Sequence, residues 1–121
     1  SGNDDRSQIL MVIGDVAGKV ALVVDDEIST GGTLVNNVNT LLDRGAKEVY
    51  FCATHPIFSG PALERIASSR VKEVVVTDSL PVAHGRAIDK ITVLPLAPLL
   101  GEAIHRIHTG QSVGEMFNGT K

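Results

Sequence analysis

The sequence predicts an α/β domain with a mostly parallel central sheet and helices on both of its faces. Three observations predict it. Short apolar runs alternate with segments of helical periodicity, and such alternation forms right-handed crossovers between parallel strands. The runs are rich in β-branched residues and apolar at consecutive positions, as central parallel strands are. Aromatic residues make up only 3% of the 121 residues, and Trp is absent. The core must then be built from Val, Ile, Leu and Ala, which suits such a sheet.

The elements follow in order. Residues 1–8, SGNDDRSQ, are polar and read as a frayed terminus or the stump of a longer segment. Ile9–Ile13 is a candidate strand ended by Gly14. Val20–Val24 is the first strong strand. Leu34, Val38, Leu41 and Leu42 recur at helical spacing on one face. Gly45 stands where that helix needs a left-handed last residue. Glu48–Ala53 is the next strand. Ser59-Gly60-Pro61 opens a second helix, with Ser59 as its cap and Pro61 in its first turn. Leu63, Ile66 and Ala67 form its inward face. Val71–Val76 and Ile91–Leu94 are further strands. A last helix over Ala97–His108 turns Leu99, Leu100, Ala103, Ile104 and Ile107 inward, and Gly110 ends it. The length is that of one modest domain, here residues 9–117, with 118–121 as a tail.

Composition narrows the function. The net charge is −3, without a Lys/Arg cluster, which disfavours a nucleic-acid surface. No apolar run approaches the ~20 residues of a spanning helix, so no membrane partner is expected. The first residues lack the charged-then-apolar shape of a signal peptide. A cytoplasmic location is expected. The one cysteine, Cys52, rules out an intramolecular disulfide and reads as a buried, inert thiol.

The chemistry concentrates in Val23 to Leu34, VVDDEISTGGTL. If the strand ends near Val24 and the helix starts near Gly31, then Ser29 to Thr33 wrap a helix N-terminus. The first backbone N–H groups there have no intrahelical partner, and the helix dipole adds positive charge. Together they hold phosphate without Lys or Arg. Gly31 and Gly32 allow close approach and positive φ. Ser29, Thr30 and Thr33 add hydroxyl donors. A Walker loop would need a Lys that is absent, and the dinucleotide fingerprint is missing. Asp25 and Asp26 would repel phosphate, yet ionised carboxylates suit sugar hydroxyls or the waters of a bound Mg²⁺. A ligand with a phosphate at one end and a diol nearby satisfies both halves. Ribose 5-phosphate is such a ligand.

VVDDEISTGGTL resembles the phosphoribosyl diphosphate motif of the type I phosphoribosyltransferase fold, a Rossmann-like α/β arrangement. GAKEVYFCATHPIFSGPALERI, VVVTDSLP and LAPLLGEAIHRIHTGQSVGEMF narrow this. Taken together, Ile9 to Phe117 is similar to the C-terminal half of the ribose-phosphate pyrophosphokinase family. The resemblance implies transfer of the diphosphoryl group of ATP to the 1-hydroxyl of ribose 5-phosphate, with Mg²⁺. It places Asp25 and Asp26 by the ribose hydroxyls, and Ser29, Thr30, Gly31, Gly32 and Thr33 on the 5-phosphate. Family members often carry Asp where this chain has Ser29. Glu27 should point away from the ligand. An effector site for ADP or phosphate would draw on Ser112, Val113 and Phe117, with Gly114 in place of a Ser common there.

The resemblance also implies a homo-oligomer, dimers assembling into hexamers. It puts the catalytic Lys and Arg on a loop just before Ile9, and the ATP and Mg²⁺ ligands mostly in an N-terminal half. No catalytic residue is therefore expected within this chain. Two alternatives share the motif: another type I phosphoribosyltransferase, and an inert regulatory synthetase-associated subunit. His55, His84, His105 and His108 lack the companion ligands of a metal site. His55 lies at a strand end, where it lines a ligand site or serves structure alone. Ser59 lacks a nucleophile's context.

Overall fold

The computed structural model describes Val12, residues 14–82 and residues 88–118. The candidate strand Ile9–Ile13, residues 1–8, His84 and residues 119–121 lie outside the described residues, Val12 excepted. Among the described residues, four strands form one sheet: β1 (Val20–Ile28), β2 (Glu48–Pro56), β3 (Glu73–Thr77) and β4 (Ile91–Leu94). Their order is β1-β2-β3-β4, and every pair is parallel. Helix α1 (Gly32–Asp43) joins β1 to β2, and α2 (Ala62–Ser68) joins β2 to β3. After β4 comes α3 (Ala97–Thr109), then a short 3₁₀ turn over Gly114–Phe117. This is the α/β class that the sequence predicts.

Two right-handed crossovers running the same way put α1 and α2 on one face of the sheet, where α1 packs on β1, β2 and α2. The core lies between them. Val49, Phe51 and Ala53 of β2 and Val74 and Val76 of β3 meet Leu34, Val38 and Leu41 of α1 and Ile66 of α2. The two-residue period of the strands turns the alternate positions to the other face. There the register lines up Val24, Cys52 and Val75, with Leu22 beside Tyr50. Val24 is 73% exposed, and Val20 and Leu22 are exposed too.

Several local expectations need correction. Cys52 is half-buried on that second face and not enclosed in the core. α3 runs as expected and ends at left-handed Gly110, but it buries no residue. Leu99, Leu100, Ile104 and Ile107 are exposed, Ile107 by 70%. Their spacing makes a stripe that nothing among the described residues covers. In α2, Ala62 and Ile66 are the buried positions, and Ala67 is exposed. The Ser59 hydroxyl does not cap that helix: Pro61 holds the cap position without a side-chain bond. Gly45 does close α1, with φ of 94° and a bond from Ala46 N–H to the Leu41 carbonyl of 3.0 Å.

Candidate functional site

β1 does not stop where its apolar run stops. It carries Asp25, Asp26 and Glu27 in strand conformation and ends on Ile28, only 3% exposed. Pairing persists because β2 also runs on, and Ile28 lies opposite Pro56. The chain after Pro56 therefore meets the chain after Ile28. Phe58 N–H donates to the Ile28 carbonyl at 3.0 Å, and Ser59 N–H to the Ser29 carbonyl at 3.0 Å. The Ser29 and Ser59 hydroxyls share a hydrogen bond of 3.0 Å. Arg65 of α2 donates from Nη1 to the Thr30 carbonyl at 3.2 Å.

Three successive carbonyls of the loop are thus held by one segment, Phe58 to Arg65. The loop then turns at Gly31, left-handed at φ 86°. Gly31 is buried against Ala62, so close that an added Cβ would stand 3.5 Å from the Ala62 backbone. Helix α1 starts at the next residue, and its first bond runs from Val35 N–H to the Gly31 carbonyl at 3.1 Å. The amides of Gly32, Thr33 and Leu34 precede it. No side chain caps them, and no acid stands in the first turn. Carbonyls turned to one side and helix-terminal amides at the other make an anion-binding arrangement. Gly32 itself is helical, so the positive φ belongs to Gly31 alone of the two.

The acids form a coupled pair at the end of β1. Asp26 N–H donates to Asp25 Oδ1 at 2.8 Å. Partial burial holds the Asp25 carboxyl above its ordinary value of 3.8, helped by the hydrogen bond to the Asp26 side chain and by its charge. The same hydrogen bond, then backbone N–H donors and the charge of His55, hold Asp26 below that value. The pair therefore offers one firmly ionised carboxylate beside one that keeps its proton longer. Ionised carboxylates accept hydrogen bonds, which the hydroxyls of a diol can donate.

His55 at the end of β2 stands opposite Glu27 in the register. Its Nδ1 is 2.8 Å from Ser79 Oγ, just past β3. Among the described residues, no group of three or more His, Cys, Asp or Glu could hold a metal ion. The tail residues sit elsewhere: the Ser112 carbonyl accepts from Arg106 Nη1 at 2.9 Å, Val113 precedes the 3₁₀ turn, and Phe117 is exposed. A cleft of about 490 Å³ runs between α1 and α2, lined by Asn36, Asn39, Arg65 and Arg70 among others, and reaches the loop only at Gly32.

Motif reading brings together Asp25, Asp26 and Ser29 to Thr33, and these are contiguous at the carboxyl end of β1. It misses the Phe58–Arg65 support. A signal for it exists: in a parallel pair, whatever follows β2 lies beside whatever follows β1.

Comparisons with known proteins bear on the family and the fold. The family model of the phosphoribosyl synthetase-associated domain matches residues 4–118. A ribose-phosphate pyrophosphokinase of Caldanaerobacter subterraneus is 53% identical over 111 residues, 92% of this chain and 35% of that protein. One from Oceanobacillus iheyensis is 50% identical over 112 residues, again 35% of its length. The crystal structure of phosphoribosylpyrophosphate synthetase from Mycobacterium smegmatis superposes with a TM-score of 0.76 at 42% identity, over 81% of this chain and 33% of that one. The chain spans about a third of the length of the relatives it matches. With a family model matched over nearly its whole length, relatives about 50% identical to it and a shared fold, the chain belongs to the phosphoribosyl synthetase family, in the part described as the phosphoribosyl synthetase-associated domain.

Proposed function

We propose that this chain is the ribose 5-phosphate-binding portion of a phosphoribosyl pyrophosphate synthetase. The observation that carries the reading is the loop that places its carbonyls on Phe58–Arg65 and leaves the first amides of α1 without caps. The 5-phosphate occupies Ser29, Thr30, Gly31, Gly32 and Thr33, and the ribose hydroxyls pair with Asp25 and Asp26. The parent enzyme transfers diphosphate from ATP to the 1-hydroxyl of the sugar. Its ATP site lies in the two thirds of the relatives' length that this chain does not span, and the chain alone makes no product. Carboxylates are the donors Mg²⁺ takes, so Asp25 and Asp26 would hold such an ion through its waters and help screen the charge on the substrate. The parent works as a homo-oligomer, and Ser112, Val113 and Phe117 belong to an effector site for ADP or phosphate.

An NMR titration of the chain with ribose 5-phosphate, inorganic phosphate and ribose tests this. Amides of Asp25 to Thr33 should shift with the phosphosugar at concentrations well below those the other two need. Equal response to inorganic phosphate would reduce the loop to a general anion site. Product formed by the purified chain from ATP, Mg²⁺ and ribose 5-phosphate would overturn its inactivity.

A further inference from the structure

The end of β2 carries a second constellation that neither the loop nor the acid pair uses. His55 is exposed, so burial does not fix its ring. Hydrogen bonds do. Its Nδ1 lies 2.8 Å from Ser79 Oγ. Ser79 is held in turn: Oγ donates to the Thr54 carbonyl at 3.2 Å, and its N–H donates to Thr77 Oγ1 at 3.1 Å. Thr77 Oγ1 closes the set on the same Thr54 carbonyl at 2.7 Å. An exposed side chain ordered this way loses rotamer freedom without gaining burial. Groups that meet a ligand are held in place by supporting hydrogen bonds of this kind.

Its place fits that reading. Ligands of open parallel sheets lie beyond the carboxyl ends of the strands. His55 stands there, one strand from the acids and opposite Glu27. Nε2 has no hydrogen-bond partner among the described residues. Ser79 Oγ has one proton to give. If it goes to Thr54, Nδ1 carries the imidazole proton and Nε2 accepts; if it goes to His55, Nε2 donates. A hydroxyl can answer either form, because it both donates and accepts. A phosphate oxygen answers only the second.

We infer that His55, oriented by Ser79, is a specificity-determining contact to a ribose hydroxyl. The inference rests on the ribose 5-phosphate reading and adds to it a residue from a second strand. It also makes the sugar end of the site a joint product of β1, β2 and β3, while the phosphate end belongs to β1 and α1.

The test is a set of NMR titrations of the intact chain with ribose 5-phosphate, 2-deoxyribose 5-phosphate and inorganic phosphate. Losing one hydrogen bond to the ligand should weaken ribose 5-phosphate binding by about tenfold in His55→Ala. Inorganic phosphate should bind that variant as it binds the wild type, because the loop is untouched. Ser79→Ala frees the ring without removing it and should lose less. His55→Gln, which keeps a polar group at similar reach, should recover part of the loss. Equal losses for sugar phosphate and phosphate in His55→Ala would reveal a merely structural role and overturn the inference. So would an unchanged preference for ribose 5-phosphate. A wild-type chain with no preference for the sugar would overturn the ribose 5-phosphate reading itself, which is a different result from either.

Discussion

At Gly31 the backbone is left-handed, with φ of 86°, and packs on Ala62; at Gly32 it is already helical. Two adjacent glycines therefore respond differently to substitution. Gly31→Ala should lower stability by about 1–2 kcal/mol, the cost of a left-handed L-residue. Gly32→Val should leave the melting temperature close to that of wild type but abolish ribose 5-phosphate binding, because a branched side chain beside the uncapped amides of α1 would keep the phosphate away. Thermal melts and titrations of the two variants check this, and equal melting temperatures would refute the division. The acid pair gives a pH-dependent case. Asp25 sits above its ordinary value in the folded state, through burial first and Asp26 second. Such a carboxyl favours folding below its unfolded value and loses that contribution as pH rises through its folded one. Above that window the wild type carries an ionised, partly buried Asp25. Asp25→Asn should then melt no lower than wild type at pH 7, and bind the phosphosugar less well. A lower melting temperature at pH 7 would contradict it. At this scale the motif was legible, because acids, hydroxyls and glycines in succession state their chemistry locally. The bond from Arg65 to the Thr30 carbonyl spans 35 positions, and no local pattern announces it.

At the scale of elements, apolar runs located the strands but not their ends. The first run stops at Val24, yet β1 continues four residues further because Asp25, Glu27 and Ile28 still find partners on β2. Backbone pairing, not side-chain polarity, decides where a parallel strand ends. β3 shows the reverse: Val71 is buried but lies before the strand, which starts at Glu73. Ser59 read as an N-cap from the Ser-Gly-Pro order, and that order is compatible with the helix that follows. The hydroxyl instead reaches Ser29, whose position 30 residues earlier becomes its neighbour only once β1 and β2 pair. In α3 the periodicity was right and the inference from it was not. A stripe of Leu and Ile says that a face is apolar; it does not say that this chain covers it.

At the scale of the molecule, two apolar surfaces stand open among the described residues: Val20, Leu22 and Val24 on the sheet, and Leu99, Leu100, Ile104 and Ile107 on α3. Contiguous patches of this kind drive association. The purified chain should show a mass that rises with concentration in sedimentation, and Leu22→Lys with Ile104→Lys should return it to the monomer. A wild type that stays monomeric throughout would count against it. The loop contacts have a different consequence for the whole. A ligand held by the amides of α1 also steadies the carbonyls that Phe58 to Arg65 grip, so opening α2 would first require releasing the ligand. Occupancy would then raise the free energy of opening in proportion to the logarithm of ligand concentration over its Kd. Amide protons of Ala62 to Ser68, which lie outside the proposed site, would exchange with solvent more slowly as the site fills, so that the second crossover keeps a record of what the first one holds.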